Sequence, residues 1–517
     1  MFEKKKRKSH PSLEQIISKR AFVLGTGKLL LSGALVSRMS FLQLWQSSHY
    51  KTLAEGNRIK LRLLAPRRGM LFDRNGEVLA KNIKTFHTFI VPRQVKHPEE
   101  LLLKVKNKLN IEDEIFELIL EKFKKAPRHL PFVIKDYLTW EEVSKLEISM
   151  PSLPGLLIED GIERSYPDAE HISHVLGYIQ PVKPEDTDDR NLLKIPNFKV
   201  GKTGFERALD KKLQGKVGYQ EEEVDAYNRV VRKLSIKSPI PGEDLRLTID
   251  QRLQAYVHHR LSEHLSASAI IMNIHNGQLL CLNSTPGFDP NIFSKTIPRV
   301  LWNDLTTNEL KPLVNKAVQG EYAPGSIFKL VVSIAALEEG VITPHTSVYC
   351  PGHRYVGNRR FHCWKPEGHG TLDLDQAIQK SCDIYFYDVA TKLGVDKIAY
   401  YARLFGFGRL TDVEITGEHA GLVPDKEWKR KTFGKPWTLG ETANIGIGQG
   451  SLLATPIQLA LFMARLSNGG KEVFPTLLKD QAPPQWESLP VKQEHLKFLV
   501  QAMAHTVNSP TGTGFRS

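Results

Sequence analysis

The 517-residue chain has no stripe of basic residues interleaved with aromatics. That argues against a nucleic-acid partner despite a net charge of +14. It has no internal repeat and no low-complexity tract, and only four cysteines. What remains is ordinary globular composition, 41% hydrophobic and 25% charged. The length exceeds what one core can organise, so about two to four domains are expected.

Much of the positive charge lies in one place. Residues 1–20 hold Lys4, Lys5, Lys6, Arg7, Lys8, Lys19 and Arg20 against Glu3 and Glu14. An apolar stretch from Ala21 to Trp45 follows, AFVLGTGKLLLSGALVSRMSFLQLW. A span of about 20 such residues crosses a bilayer as a helix, and the flanking cations predict a cytoplasmic N-terminus. Lys28 lies within the span, whereas Arg38 can snorkel outward. No small-x-small cleavage site follows, so a retained anchor is expected over a cleaved signal peptide.

Residues 46–64 lack glycine and proline apart from Gly56 and suggest a helix leaving the membrane. The turn Arg74-Asn75-Gly76-Glu77 predicts a hairpin. Residues 98–125 carry a solvated helical face. Asp250 suits the N-cap of a helix in LTIDQRLQAYVHHRL. Two strands are expected on either side of His275-Asn276-Gly277. The pattern is α+β, with domains expected at 1–20 (basic tail), 21–45 (anchor), 46–244 and 245–517.

Ser326 follows the break Pro324-Gly325 and opens an apolar helix over Ile327–Glu339. Lys329, three residues on, shares its face. A helix N-terminus favours developing negative charge. Burial is expected to lower the Lys329 pKa so that it takes the hydroxyl proton. The Ser-x-x-Lys spacing is weak by itself: Ser48 and Lys51 match it in a membrane-proximal segment. Fifty-five residues beyond Ser326, Ser381-Cys382-Asp383 offers a hydroxyl and a carboxylate for proton relay, or simply a helix cap.

Taken together, these segments resemble the class B penicillin-binding proteins, and within them the elongation subgroup. APRRGMLFDRNGEVLA and GKTGFERALDKKLQGKVG resemble the two pedestal blocks of that family. PGEDLRLTIDQRLQ resembles the start of its catalytic domain, and NKAVQGEYAPGSIFK its nucleophile motif. The segment from Asp425 to Ala460 and the aspartate at 383 point to the elongation subgroup. The resemblance covers roughly residues 20–517. It implies a transmembrane helix, a mixed β-rich pedestal and a transpeptidase domain of the serine β-lactamase-like fold. Gly201-Lys202-Thr203-Gly204 is then a pedestal turn. A phosphate loop needs a glycine five residues before its Gly-Lys pair, and Ile195–Val200 has none.

One family element is missing. No Lys-Thr-Gly, Lys-Ser-Gly or His-Thr-Gly follows Asp383. That strand would carry the cation for the substrate carboxylate and a second oxyanion donor, worth about 2.7–4 kcal/mol. The sequence is therefore read as truncated. Residues 1–517 alone are expected to be impaired, and a parent carrying the strand active.

Cys350, Cys363 and Cys382 lie near one another in sequence, with His353, His362 and His369 among them. Three thiolates and one imidazole make a closed zinc site, and His369, between glycines, is the preferred fourth ligand. A disulfide and unconnected residues are the competing readings. Cys281 is read as a core strand residue.

The resemblance implies that Lys329 deprotonates Ser326, which attacks the penultimate D-Ala of a peptidoglycan stem peptide. Ser381 and Asp383 assist, and an amine from a neighbouring strand resolves the acyl-enzyme. β-Lactams stall at the acyl stage. Catalysis needs no cofactor; a zinc would be structural. The implied location is the inner membrane, single-pass, with the catalytic domain in the periplasm. The implied partners are a membrane-embedded glycan polymerase and the elongation machinery. A serine β-lactamase is a rival enzyme reading, which the anchor and pedestal disfavour. A non-catalytic scaffold or β-lactam-binding protein is the rival of another class.

Overall fold

The computed structural model describes residues 13–41, 59–128, 131–183, 186, 195, 198–224, 230–295, 297–479 and 485–515. The expectations for residues 1–12, for the Ser48–Lys51 spacing and for the helix over 46–58 lie outside them. The chain folds as two compact units, residues 1–65 with 217–239, and residues 66–216 with 240–517.

The first unit contains a helix from Leu13 to Ser40. Within it, Phe22–Ser40 is long and apolar enough to cross a membrane, with a mean hydropathy of 1.2. Arg38, in its last turn, lies over the Phe41 ring. The unit's other element is an antiparallel sheet. Its strands are Ile59–Leu64, Gly218–Val224 and Val230–Lys237, in that order. The expected helix over 46–64 is therefore corrected at its end. Ile59–Leu64 pairs with Gly218–Val224, and alternation of apolar and basic side chains suits a strand better than a helix.

In the second unit, Leu71–Phe72 and Val78–Ile90 form the expected hairpin around Gly76, which has a φ of 97°. Val78–Ile90 also pairs with Phe132–Leu138 and Leu156–Ser165. The charged stretch 98–125 forms two helices, Pro98–Leu109 and Asp113–Lys125. They bury Leu101, Leu102, Val105 and Phe116 in a core with Leu138 and Leu146.

The two pedestal-like blocks meet in a buried ion cluster. Arg68 donates from Nε to Glu206 Oε2 at 2.6 Å, and Arg164 from Nε to Glu206 Oε1 at 2.8 Å. Arg68 also reaches Asp210 at 2.9 Å. Thus Gly-Lys-Thr-Gly is a turn between the strand Lys199–Gly201 and the helix Gly204–Ala208. A Cβ on Gly201 would lie 2.1 Å from the Glu206 carbonyl oxygen, so the glycine permits the close packing.

Leu245–Arg246 pairs in parallel with Leu71–Phe72, and Leu247 and Ile249 share a core with Leu71, Leu79, Leu279, Ile457 and Leu477. Asp250 caps the helix Gln251–Leu261, accepting from Leu253 N at 3.1 Å. Ala267–Met272 and Leu279–Thr285 pair as antiparallel strands. Cys281 is fully buried there, and burial pushes its thiol up to about 12. The largest core gathers the helices Lys329–Glu338, Asp383–Leu393 and Val395–Leu404.

Candidate active site

Gly325–Phe328 forms one 3-10 turn, and the α-helix begins only at Lys329. The expected helix start at Ser326 is thus a tighter turn with the same outcome. Ser326 is exposed, while Lys329 is 3% exposed at the head of a buried helix. Gly325 has a φ of 58° and donates to the Gly448 carbonyl at 3.0 Å. A Cβ on Gly448 would lie 2.1 Å from Gly325 O, so this glycine lets the loop brace the serine turn. Sequence reasoning misses Gly448: the run IGIGQG marks a loop but not its contact with Gly325.

The structure brings the four expected catalytic residues together. Ser326 Oγ lies 2.9 Å from Ser381 Oγ. Lys329 Nζ donates to Ser381 Oγ at 3.1 Å, to the Ser381 carbonyl at 2.9 Å and to Asp383 Oδ1 at 2.7 Å. Lys329 therefore occupies a buried seat that includes a carboxylate. Ser381 has a φ of 50°, which a serine seldom adopts. Such strain costs on the order of 1–3 kcal/mol and persists only where surroundings hold it. Cys382 is the residue before the helix Asp383–Leu393, and Asp383 is its first residue. This places the carboxylate in the helix's first turn, a favourable position.

Cys350, Cys363, His369 and Cys382 also converge, with one ligand atom of each within 4.8 Å of all the others. All four cysteines are free thiols, so the structure contains no disulfide among them. His369 Nδ1 lies 3.6 Å from Cys350 Sγ and 3.5 Å from Cys363 Sγ. With zinc bonds of about 2.3 Å to sulfur and 2.0–2.1 Å to nitrogen, a tetrahedral edge is about 3.6 Å. The donor set and its spacing thus fit zinc. A hydrogen bond from Cys382 draws the Cys363 thiol down, helped by backbone N–H groups, so one member of the pair is poised to be a thiolate. His353 and His362 form a separate ring contact at 6.5 Å.

A Ser-x-x-Lys pair at the head of a buried helix, with a serine and an aspartate on the turn that contacts it, defines a penicillin-binding serine transpeptidase. The penicillin-binding protein transpeptidase domain matches residues 267–516, and the penicillin-binding protein dimerisation domain residues 63–247. The chain belongs to this family, as a class B member of the PBP2 group. Peptidoglycan D,D-transpeptidase MrdA of Haemophilus influenzae is 35% identical over 471 residues, 90% of this chain and 72% of that protein. MrdA of Escherichia coli K12 is 34% identical over 515 residues, 96% and 81% respectively. PBP2 of Helicobacter pylori, solved in complex with MreC, superposes with a TM-score of 0.81 at 31% identity, covering 88% of this chain and 86% of that one. PBP2 of Pseudomonas aeruginosa in complex with WCK 5153 gives 0.66 at 30% identity, covering 89% and 84%.

Proposed function

We propose that the chain is a peptidoglycan D,D-transpeptidase whose nucleophile is Ser326. The observation that carries this is the chain of contacts from Ser326 Oγ through Ser381 Oγ to Lys329 Nζ, with Asp383 behind it. The Ser326 proton passes to Ser381 Oγ as the Ser381 proton passes to the free-amine form of Lys329. Ser326 Oγ then bonds to the carbonyl carbon of the penultimate D-Ala. The C–N bond to the terminal D-Ala breaks, and the proton returns to that leaving amine. An acceptor amine then bonds to the ester carbon and gives its proton to Lys329, the bond from that carbon to Ser326 Oγ breaks, and the oxygen regains its proton along Ser381, which completes the cross-link. The relay from Ser326 through Ser381 to Lys329 runs along contacts of 2.9 and 3.1 Å.

Cys350, Cys363, His369 and Cys382 are proposed to hold a structural zinc. When bound, it would tie the turn carrying Ser381 and Asp383 to the strands Val348–Cys350 and Arg359–His362, which flank the ligands in sequence. The apolar helix supports a single-pass membrane anchor, with a cytoplasmic N-terminus and a periplasmic catalytic domain. The solved complex of H. pylori PBP2 with MreC supports a partner in the elongation machinery, and a membrane-embedded glycan polymerase is the further partner proposed. The domain plan 1–20, 21–45, 46–244 and 245–517 belongs to the same proposal.

The test is release of D-Ala from a pentapeptide donor, with cross-linked product resolved by chromatography. The protein expressed from its own gene should release D-Ala and form dimer. Ser326→Ala should do neither, and retained turnover in that variant would reject the assignment.

A further inference from the structure

Trp364 is half-exposed, yet both of its N–H groups are spent on one turn. Its backbone N–H donates to Asp383 Oδ2 at 2.9 Å. Its indole N–H donates to the carbonyls of Lys380 and Ser381, each at 3.1 Å. Asp383 Oδ1 is thereby left for Lys329, and the Ser381 carbonyl is shared between the indole and the Lys329 ammonium. The ring also packs against His369, with centroids 5.4 Å apart.

We infer that Trp364 is a positioning residue for acyl transfer, clamping the left-handed Ser381 turn so that Ser381 Oγ and Asp383 stay on the Ser326–Lys329 path. Ser381 needs such a clamp because φ of 50° is costly for a residue with a Cβ. Lys329 alone cannot supply it through catalysis, since its proton moves. The indole N–H carries no exchangeable charge and holds the carbonyl through every step. Trp364 touches neither the nucleophile nor the transferred proton, so its effect is on geometry.

The inference rests on the transpeptidase reading, and the experiment separates the two. Protein expressed from its own gene is acylated with a fluorescent penicillin, and the rate constant is resolved into the non-covalent constant and the acylation step. Absence of any labelling that depends on Ser326 defeats the transpeptidase reading. Given labelling, Trp364→Phe keeps an aromatic ring and removes the two indole bonds. Normalised to the labelled fraction, its acylation step should slow about tenfold while the non-covalent constant stays within about twofold. Should Trp364→Phe not fold, 3-benzothienylalanine at position 364 replaces the N–H with sulfur at the same ring size, and the same slowing is expected. An unchanged acylation step in the variant that folds, or a loss confined to labelled fraction and melting temperature, would show that Trp364 only packs.

Discussion

At the scale of single residues, the site depends on one buried amine that serves a hydroxyl, a backbone carbonyl and a carboxylate. Removing it strips the proton path and leaves Asp383 without its cation. Lys329→Ala should therefore slow acylation by about a hundredfold to ten-thousandfold, the range of general-base losses. Stopped-flow acylation with a chromogenic cephalosporin measures it, and a loss below about threefold would remove Lys329 from the mechanism. Ser326 and Lys329 are legible from sequence because three residues of helical spacing put both on one face. Trp364 and Gly448 are not. Their contacts with Asp383 and Gly325 join segments 19 and over 100 residues apart, as the bonds Trp364 N to Asp383 and Gly325 N to Gly448 show, and no local pattern encodes such a meeting.

At the scale of elements, the short strands Val348–Cys350 and Gly370–Leu372 pair, and His353–Val356 pairs with Arg359–His362. Hairpins this small bury little on their own, so a metal among Cys350, Cys363, His369 and Cys382 would do much of their ordering. Purified protein should carry one zinc per chain by elemental analysis, and Cys363→Ser should lose it together with part of its thermal stability. Wild-type protein purified without chelators and free of metal would instead leave four packed side chains. The residue types of this cluster are readable in the sequence, but its closure is not, because Cys350 and Cys382 come together only through the fold. The hairpin at Gly76 and the N-cap at Asp250 are legible since both are local. The helix expected over 46–64 ends instead as the strand Ile59–Leu64, because its partner, Gly218–Val224, lies far along the chain.

Across the whole molecule, residues on both sides of position 245 share one core, including Leu71 and Leu79 with Leu247, Leu279 and Leu477. His174 lies in the same unit, edge-on to Phe288 with ring centroids 5.2 Å apart, and its Nε2 faces the Pro286 carbonyl at 3.3 Å. Burial pushes its pKa down from 6.5 to about 4. The unfolded chain then binds the proton first as pH falls. Stability from this group is full above pH 6.5 and is lost between 6.5 and about 4, by about 3 kcal/mol in all. Thermal melts from about pH 7 to about 4.5 should fall more steeply for wild type than for His174→Gln; parallel curves would contradict the burial of a neutral imidazole.

The most direct measurement is mass spectrometry of the protein, expressed from its own gene, after exposure to a β-lactam and proteolysis. The account predicts a single covalent adduct on the hydroxyl of Ser326, absent in Ser326→Ala. An adduct on another residue, or none under conditions where the protein is folded, would contradict it.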